Sequence, residues 1–279
     1  LHEAITEAAR KEHPVSVRGV FYRVVSAGAI EKTHNAYRTV GRQLVKLRRN
    51  GTVPYSWITD GTRWITEPVM YDDLYQMMEN AQKAYRRALW NDQPDEVMIF
   101  TEKDAISGTV KPVTDKWGVP LGVLRGYHSE TFAYSVAQTA IARNRTRSGT
   151  TFVYQLGDHD PSGIDSWRAF VERVSGFVAA DYEHADHIHF ERLAVTEAQI
   201  TEWKLPTRPT KSTDPRAKGF VGRSVEVDAI SATRLRQLVE DVITEHIDQR
   251  QLKITQSVEQ SERTLLARMR AEIATNEEE

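Results

Sequence analysis

Three acidic positions in this chain could share a cation. Asp158, His159, Asp160, Pro161, Ser162 and Gly163 follow an apolar stretch at 151–156, and Glu102 follows another at 97–101. As strands of one parallel sheet, these stretches would release their carboxylates beyond the carboxyl ends, where open α/β sheets bind ligands. Asp158 and Asp160 alternate with His159, so extended backbone points them to one side. Glu102, Asp158 and Asp160 offer hard oxygen donors that suit Mg²⁺, an ion that keeps several waters and bridges to phosphate. The competing reading has both aspartates capping the next helix in a turn with Pro161 and Gly163. Receiver-like signalling domains also gather acids at strand ends, so the cluster alone names no reaction. His159 reads as structural.

The second chemical group is a phenol. A helix beginning at Ser16 places Val17, Val20, Phe21 and Val24 on one face, and Tyr22 falls about 150° from its apolar centre, projected outward. Arg18, four residues earlier, shares its side. A phenol beside a guanidinium can attack phosphate, with the arginine steadying the developing negative charge. The alternative is an amphipathic tyrosine packed at a domain junction. On a helix over 35–49, Tyr37, Val40, Leu44 and Leu47 share one face and Arg38, Arg42, Lys46 and Arg49 the other. A core-facing stripe backed by four cations and no acid suits a helix lying in a DNA major groove. A basic stretch over 203–223, containing Lys211, Arg216 and Lys218, offers further phosphate contacts. A merely solvated helix face is the plainer reading of the 35–49 pattern.

The elements that must position these groups divide the 279 residues by charge. Residues 1–66 hold 11 Lys/Arg against 5 Asp/Glu, the remainder 26 against 34. A basic front and an acidic rear suggest a polyanion-binding module joined to another domain. Without cysteine there are no disulfides, thiolate nucleophiles, zinc fingers or iron–sulfur clusters. No apolar run is long enough to span a membrane, and no signal-peptide pattern is visible, so the expectation is a cytoplasmic, nucleoid-associated protein. Helices over 16–25 and 35–49, then a hairpin of 55–59 and 63–66 around Asp60-Gly61, outline a winged helix-turn-helix. A helix over 72–90 bridges to the rear. There strands at 97–101, 119–124, 151–156 and 188–194 alternate with helices at 105–117, 129–143 and 162–177, predicting a mainly parallel sheet covered on both faces. A strand at 225–229 and two amphipathic helices complete the chain. The domains so expected are 1–70, a linker helix 71–94, an α/β domain 95–250 and a terminal helix with acidic tail 251–279.

Arg18-Gly19-Val20-Phe21-Tyr22 resembles the Arg-Asp-Ile-Tyr/Phe-Tyr motif of the topoisomerase VI A subunit and its relative, the meiotic double-strand-break transesterase. Gly19 departs from the family's Asp. Ile99 to Ala105, with Glu102-Lys103-Asp104, resembles the family's Val-Val-Glu-Lys-Glu-Ala segment, and Asp158 to Gly163 its Asp-x-Asp-Pro-x-Gly segment. Together these are similar to the acidic signature of a Toprim domain. Arg125-Gly126-Tyr127 is a weaker match to a Gly-Lys-Gly-Tyr-Pro-Asp segment, with His128-Ser129 in place of Pro-Asp. The resemblance runs in order from about Pro14 to Ala169, and the later segments look like the free-standing mini-A relatives, which lack an ATPase subunit. It implies a winged-helix domain followed by a Toprim-like Rossmannoid domain, with Tyr22 as nucleophile, Arg18 as its assistant and Mg²⁺ on Glu102, Asp158 and Asp160. It also implies a homodimer acting on double-stranded DNA, Tyr22 of one subunit lying over the acidic site of the other. The chain has no Gly-x-x-x-x-Gly-Lys-Ser/Thr loop, so any ATPase would be an unlinked partner subunit. The expected activity is DNA cleavage and rejoining by tyrosyl transesterification. The alternatives are hydrolysis of DNA by a Toprim nuclease and a non-catalytic winged-helix DNA-binding protein.

Overall fold

The structure, a computed structural model, describes residues 1–59, 67–126, 129–146, 149–181, 187–209, 220 and 222–277. The chain opens with α1 (His2–Glu12), a two-residue strand β1 (Val15–Ser16), α2 (Val17–Ser26) and α3 (His34–Arg49). The helix starts are local chemistry. Ser16 Oγ accepts the Gly19 amide at 3.0 Å and Thr33 Oγ1 that of Ala36 at 3.1 Å, each satisfying a donor the first turn leaves open. Val20, Val24, Val40, Leu44 and Leu47 are buried with Ile5, as spacing at the helical period predicts.

The expected hairpin is not a continuous strand over 55–59. Tyr55–Trp57 forms a 3-10 turn, and only β2 (Ile58–Thr59) is extended, paired in parallel with β1. A strand would put Tyr55 and Trp57 on one face. Here they have different partners, the Arg48 guanidinium at 4.3 Å from the Tyr55 ring and His13 at 4.8 Å from that of Trp57. The second half of the hairpin, 60–66, lies outside the described residues. The helix expected over 72–90 is shorter as well. α4 (Leu74–Ala84) ends before Trp90, whose buried indole Nε1 donates to the Trp117 carbonyl at 2.8 Å from a 3-10 turn at Leu89–Asp92.

Behind this layer stand β3 (Asp95–Thr101), α5 (Asp104–Trp117), β4 (Leu121–Val123), α6 (Glu130–Thr146), β5 (Thr150–Leu156), α7 (Pro161–Asp181) and β6 (Ile188–Ala194). The four strands are parallel in the order β4-β3-β5-β6, giving an α/β protein. Alternate residues feed the two faces. Met98, Phe100 and Val153 join the core of α6 and α7, while Val97, Ile99, Tyr154 and Leu156 face the other way. After α8 (Glu197–Glu202), the chain crosses the carboxyl ends of the strands and forms α9 (Ala232–Glu245) and α10 (Gln249–Glu277). The strand expected at 225–229 is reduced to Val225, which bridges His159 in antiparallel sense. Val227–Ala229 makes a 3-10 turn because the Val227 amide donates to Asp158 Oδ1 at 3.0 Å instead of a neighbouring strand. One apolar cluster runs from Ile5 of α1 through Ile106 and Val110 of α5 to Leu235 and Ile243 of α9. The N-terminal helices and the sheet therefore share a core.

Gly122 of β4 lies under the Phe100 ring, where an added Cβ would come to 2.3 Å of a ring carbon. Gly122→Ala is expected to lower stability by roughly 1–3 kcal/mol through overpacking, read as a lower urea midpoint. An unchanged midpoint would show that Phe100 can move freely.

Candidate functional site

Glu102 leaves β3 at the carboxyl end of the sheet, and its Oε2 accepts the Asp158 amide at 2.8 Å. Two glycines make room for it, since a Cβ on Gly157 or Gly163 would come to 3.0 or 3.1 Å of that oxygen. Asp158, 5% exposed, turns its Oδ1 to Lys103 Nζ at 2.8 Å. Its carbonyl accepts from Arg192 of β6. Lys103 Nζ also reaches Asp228 Oδ2 at 3.2 Å. Asp160 turns elsewhere. Its Oδ1 accepts the Gly163 amide at 2.8 Å, capping α7, and its Oδ2 accepts from Arg208 Nη2 at 3.0 Å. The two aspartates thus do not share a side as extended chain would have it, because β5 ends at Leu156 and Asp160 already serves the first turn of α7. His159 is structural, with its backbone on Val225 and its ring 5.3 Å from that of Phe220.

Tyr22 does not project outward. It is 2% exposed and sits among Phe21, Lys32 and the 226–229 turn, with Lys32 Nζ 4.9 Å from its ring centre. The face of α2 opposite Val20 and Val24 is covered by the crossing segment, which a helical wheel cannot foresee. Arg18 forms an ion pair with Glu226, and Arg23 donates to the Ala229 carbonyl. The other side of Glu226 takes Arg208 Nη1 at 3.2 Å. A cavity of about 290 Å³ opens among Arg18, Tyr22, Lys32, Tyr37, Arg208 and Glu226. Within one chain, Tyr22 and Glu226 line one cavity, and Arg208 links Glu226 to Asp160. Gly19 has a packing reason too, for a Cβ there would meet Val15 Cγ2 at 2.7 Å.

Charge at this centre is unevenly matched. Burial pushes the Glu102 and Asp158 carboxyls up, and the nearby Asp158 charge adds to the rise at Glu102. Burial would raise Glu226 too, but Lys103, Arg18 and Arg208 outweigh it and hold the carboxyl below the usual range. Burial and then the charges of Glu226 and Asp228 push the Tyr22 phenol up. Arg192, lowered by burial, has a buried Nη1 without a partner among the described residues. Lys103, Lys32, Arg192, Arg208, Glu226 and Asp228 were not assigned roles from sequence. Glu226 and Asp228 carried a signal as alternating acids in the apolar run 225–229, Lys103 lay in the Glu102-Lys103-Asp104 segment and Arg208 in the basic stretch 203–223.

The donor set of Glu102, Asp158 and Asp160 fits Mg²⁺ in kind, since all are carboxylates. In the structure Lys103 pairs with Asp158 and Arg208 with Asp160, and among the described residues no three acidic or imidazole groups stand as a set that could hold a metal. A cation on Asp158 would compete with Lys103. Arg38, Arg42, Lys46 and Arg49 are exposed along α3, with no carboxylate partner among the described residues, and Arg38 and Arg42 line an open cleft with Tyr37 and Val45. Lys211, Arg216 and Lys218 lie outside the described residues. No helix among the described residues is long and apolar enough to cross a membrane. No protein-family model matches the chain, and no curated protein matches it.

Two measurements probe this geometry. Absorbance near 295 nm during alkaline titration should show Tyr22 ionising later than exposed tyrosines, so Tyr22→Phe removes amplitude from the late phase. Loss of early amplitude instead would place the phenol in solvent. Lys103→Met leaves Asp158 and Asp228 buried without their shared cation and is expected to cost about 3–5 kcal/mol at neutral pH. The folded variant holds the Asp158 proton more tightly than the unfolded chain, so part of the loss should return as pH falls. A loss that grows as pH falls would contradict this reading.

Proposed function

We propose that the chain is a DNA-cleaving and rejoining transesterase of topoisomerase VI A type, with Tyr22 as nucleophile. The observation that carries the reading is the cavity that gathers Tyr22, Arg18, Lys32 and Arg208, the last of which is paired with Asp160 beyond the strand ends. A backbone phosphate entering it would meet three cations, the phenols of Tyr22 and Tyr37 and the Glu226 carboxylate, which Arg18 and Arg208 already engage. The finer assignment, a winged-helix part and a Toprim-like part, belongs to this proposal. It is supported by the capped helix pair α2 and α3 and by carboxylates at the carboxyl edge of a parallel sheet.

In this reading Arg18, Lys32 and Arg208 bind the phosphate oxygens. Their charge offsets the raised phenol pKa as negative charge builds. The Tyr22 oxygen forms a bond to phosphorus and loses its proton. The bond from phosphorus to the 3′ oxygen breaks, and that oxygen leaves as a hydroxyl, giving a 5′-phosphotyrosyl end. Glu102, Asp158 and Asp160 would hold Mg²⁺, which when bound supplies charge that polarises phosphate and steadies the leaving oxygen. The phosphodiester energy is conserved in the covalent link, so rejoining needs no nucleotide hydrolysis. A homodimer on double-stranded DNA would cut both strands, and the surroundings fitting that role are the cytoplasm and nucleoid. An ATPase, if the protein passes strands directionally, would be a separate subunit.

Supercoiled plasmid incubated with protein and Mg²⁺, then quenched with detergent and protease, tests the reading. Protein-linked ends are expected from the wild type and from neither Tyr22→Phe nor Asp158→Ala. Free ends unaffected by Tyr22→Phe would favour hydrolysis by water, and shifted but uncut DNA with Asp158→Ala harmless would favour a binder. Mixing Tyr22→Phe with Asp158→Ala should restore no nicking if each chain completes its own site. Restored nicking would move the site to the junction between two copies. Replacing Arg38 and Arg42 together by alanine should reduce the slope of log affinity against log salt by about 2; an unchanged slope would remove α3 from the DNA interface.

A further inference from the structure

A second cavity lies at the other end of the sheet. It occupies about 480 Å³ where β3 and β4 begin, between the Leu89–Asp92 turn, the end of α5 and the first turns of α10. Its walls combine two chemistries. Trp117, Leu89, Val97, Pro120 and Leu252 give it an apolar lining, while Arg86, Arg87, Lys116 and Arg143 bring positive charge to it. Three carboxylates also line it, but Asp115 is held by Lys111 at 2.7 Å and Glu259 by Arg263 at 3.3 Å, while Glu96 pairs with Arg143 at 3.0 Å. Arg87 and Lys116 are likewise paired, with Glu262 and Glu240, each at 2.7 Å. Arg86 differs. Among the described residues its guanidinium meets only the Lys116 carbonyl, at 3.4 Å. Two lining residues have buried donors without partners among the described residues, Trp117 Nε1 and Thr255 Oγ1, and Thr255 is 4% exposed. Leaving such groups unsatisfied costs stability, so an acceptor that draws them in is favoured.

We infer that this cavity is a binding site for a planar heteroaromatic molecule carrying an anionic group, the chemistry of a mononucleotide. The ring takes the apolar wall beside Trp117 and Leu252. Ring nitrogen or carbonyl acceptors take the Trp117 and Thr255 donors, and the anionic group takes Arg86. The cavity volume lies in the range of ordinary small-molecule sites. The site opens at the amino ends of strands whose carboxyl ends carry Glu102 and Asp158. It is separate from the Tyr22 cavity, and the inference does not depend on the transesterase reading.

Titration of the full chain with adenosine 5′-monophosphate, adenosine and inorganic phosphate, followed by calorimetry and tryptophan fluorescence, tests it. The monophosphate should bind, adenosine should bind at least tenfold more weakly, and phosphate alone should bind more weakly still. Arg86→Ala should remove the advantage of the monophosphate over adenosine. Thr255→Val should weaken both ligands severalfold while leaving the melting temperature unchanged or higher, because it deletes an unsatisfied hydroxyl. Thr255→Trp should fill the cavity and abolish binding, and its circular dichroism melt reports whether the fold survives. Tyr22→Phe should leave affinity unchanged. No binding at millimolar monophosphate, phosphate binding as well as the nucleotide, or affinities indifferent to both Arg86→Ala and Thr255→Val would each overturn the inference.

Discussion

The ammonium of Lys103, placed between Asp158 and Asp228, is the contact on which the centre of this molecule depends. Three segments far apart in sequence supply it: the end of β3, the loop after β5 and the turn before α9. Two carboxylates this deeply buried repel each other and resist ionisation. A shared cation makes their approach tolerable, and with it the crossing of 225–229 over the sheet edge. Removing the cation removes the reason for that crossing, and the lid over α2 goes with it.

From this junction the charge pattern spreads in alternation. Asp160 faces Arg208, Arg208 faces Glu226, and Glu226 faces Arg18. The last of these contacts joins the helical N-terminal layer to the segment that crosses the sheet edge. Arg236 adds a neutral latch by donating to the Pro14 and Glu12 carbonyls from α9. Tyr22 is buried as a consequence of these bonds, since they bring the 226–229 turn down onto the polar face of α2. Its phenol is held neutral by that burial.

The two ends of the sheet differ in character. Beyond the carboxyl ends, the acids and bases of the centre are engaged with one another, and cavities open beside Tyr22 and beside Lys103 and Asp228. At the amino ends, apolar walls dominate and two donors remain without acceptors among the described residues. Such a division follows from a parallel sheet, in which every strand end of one kind is delivered to the same edge.

By itself the sequence determined the βα alternation, the helix start at Ser16, and the exposure of Arg38, Arg42, Lys46 and Arg49, because caps and apolar spacing act within a turn or two of chain. It also determined that Glu102, Asp158 and Asp160 would arrive at one sheet edge. Tertiary structure alone decided where those carboxylates turn, since Asp160 could cap α7 or join Asp158, and the choice fell to Arg208 and Lys103. It likewise decided that Tyr22 is covered, that 55–57 is a turn and that α4 stops at Ala84. In each case the partner lies far along the chain, and no local pattern records which distant charge or ring will be there.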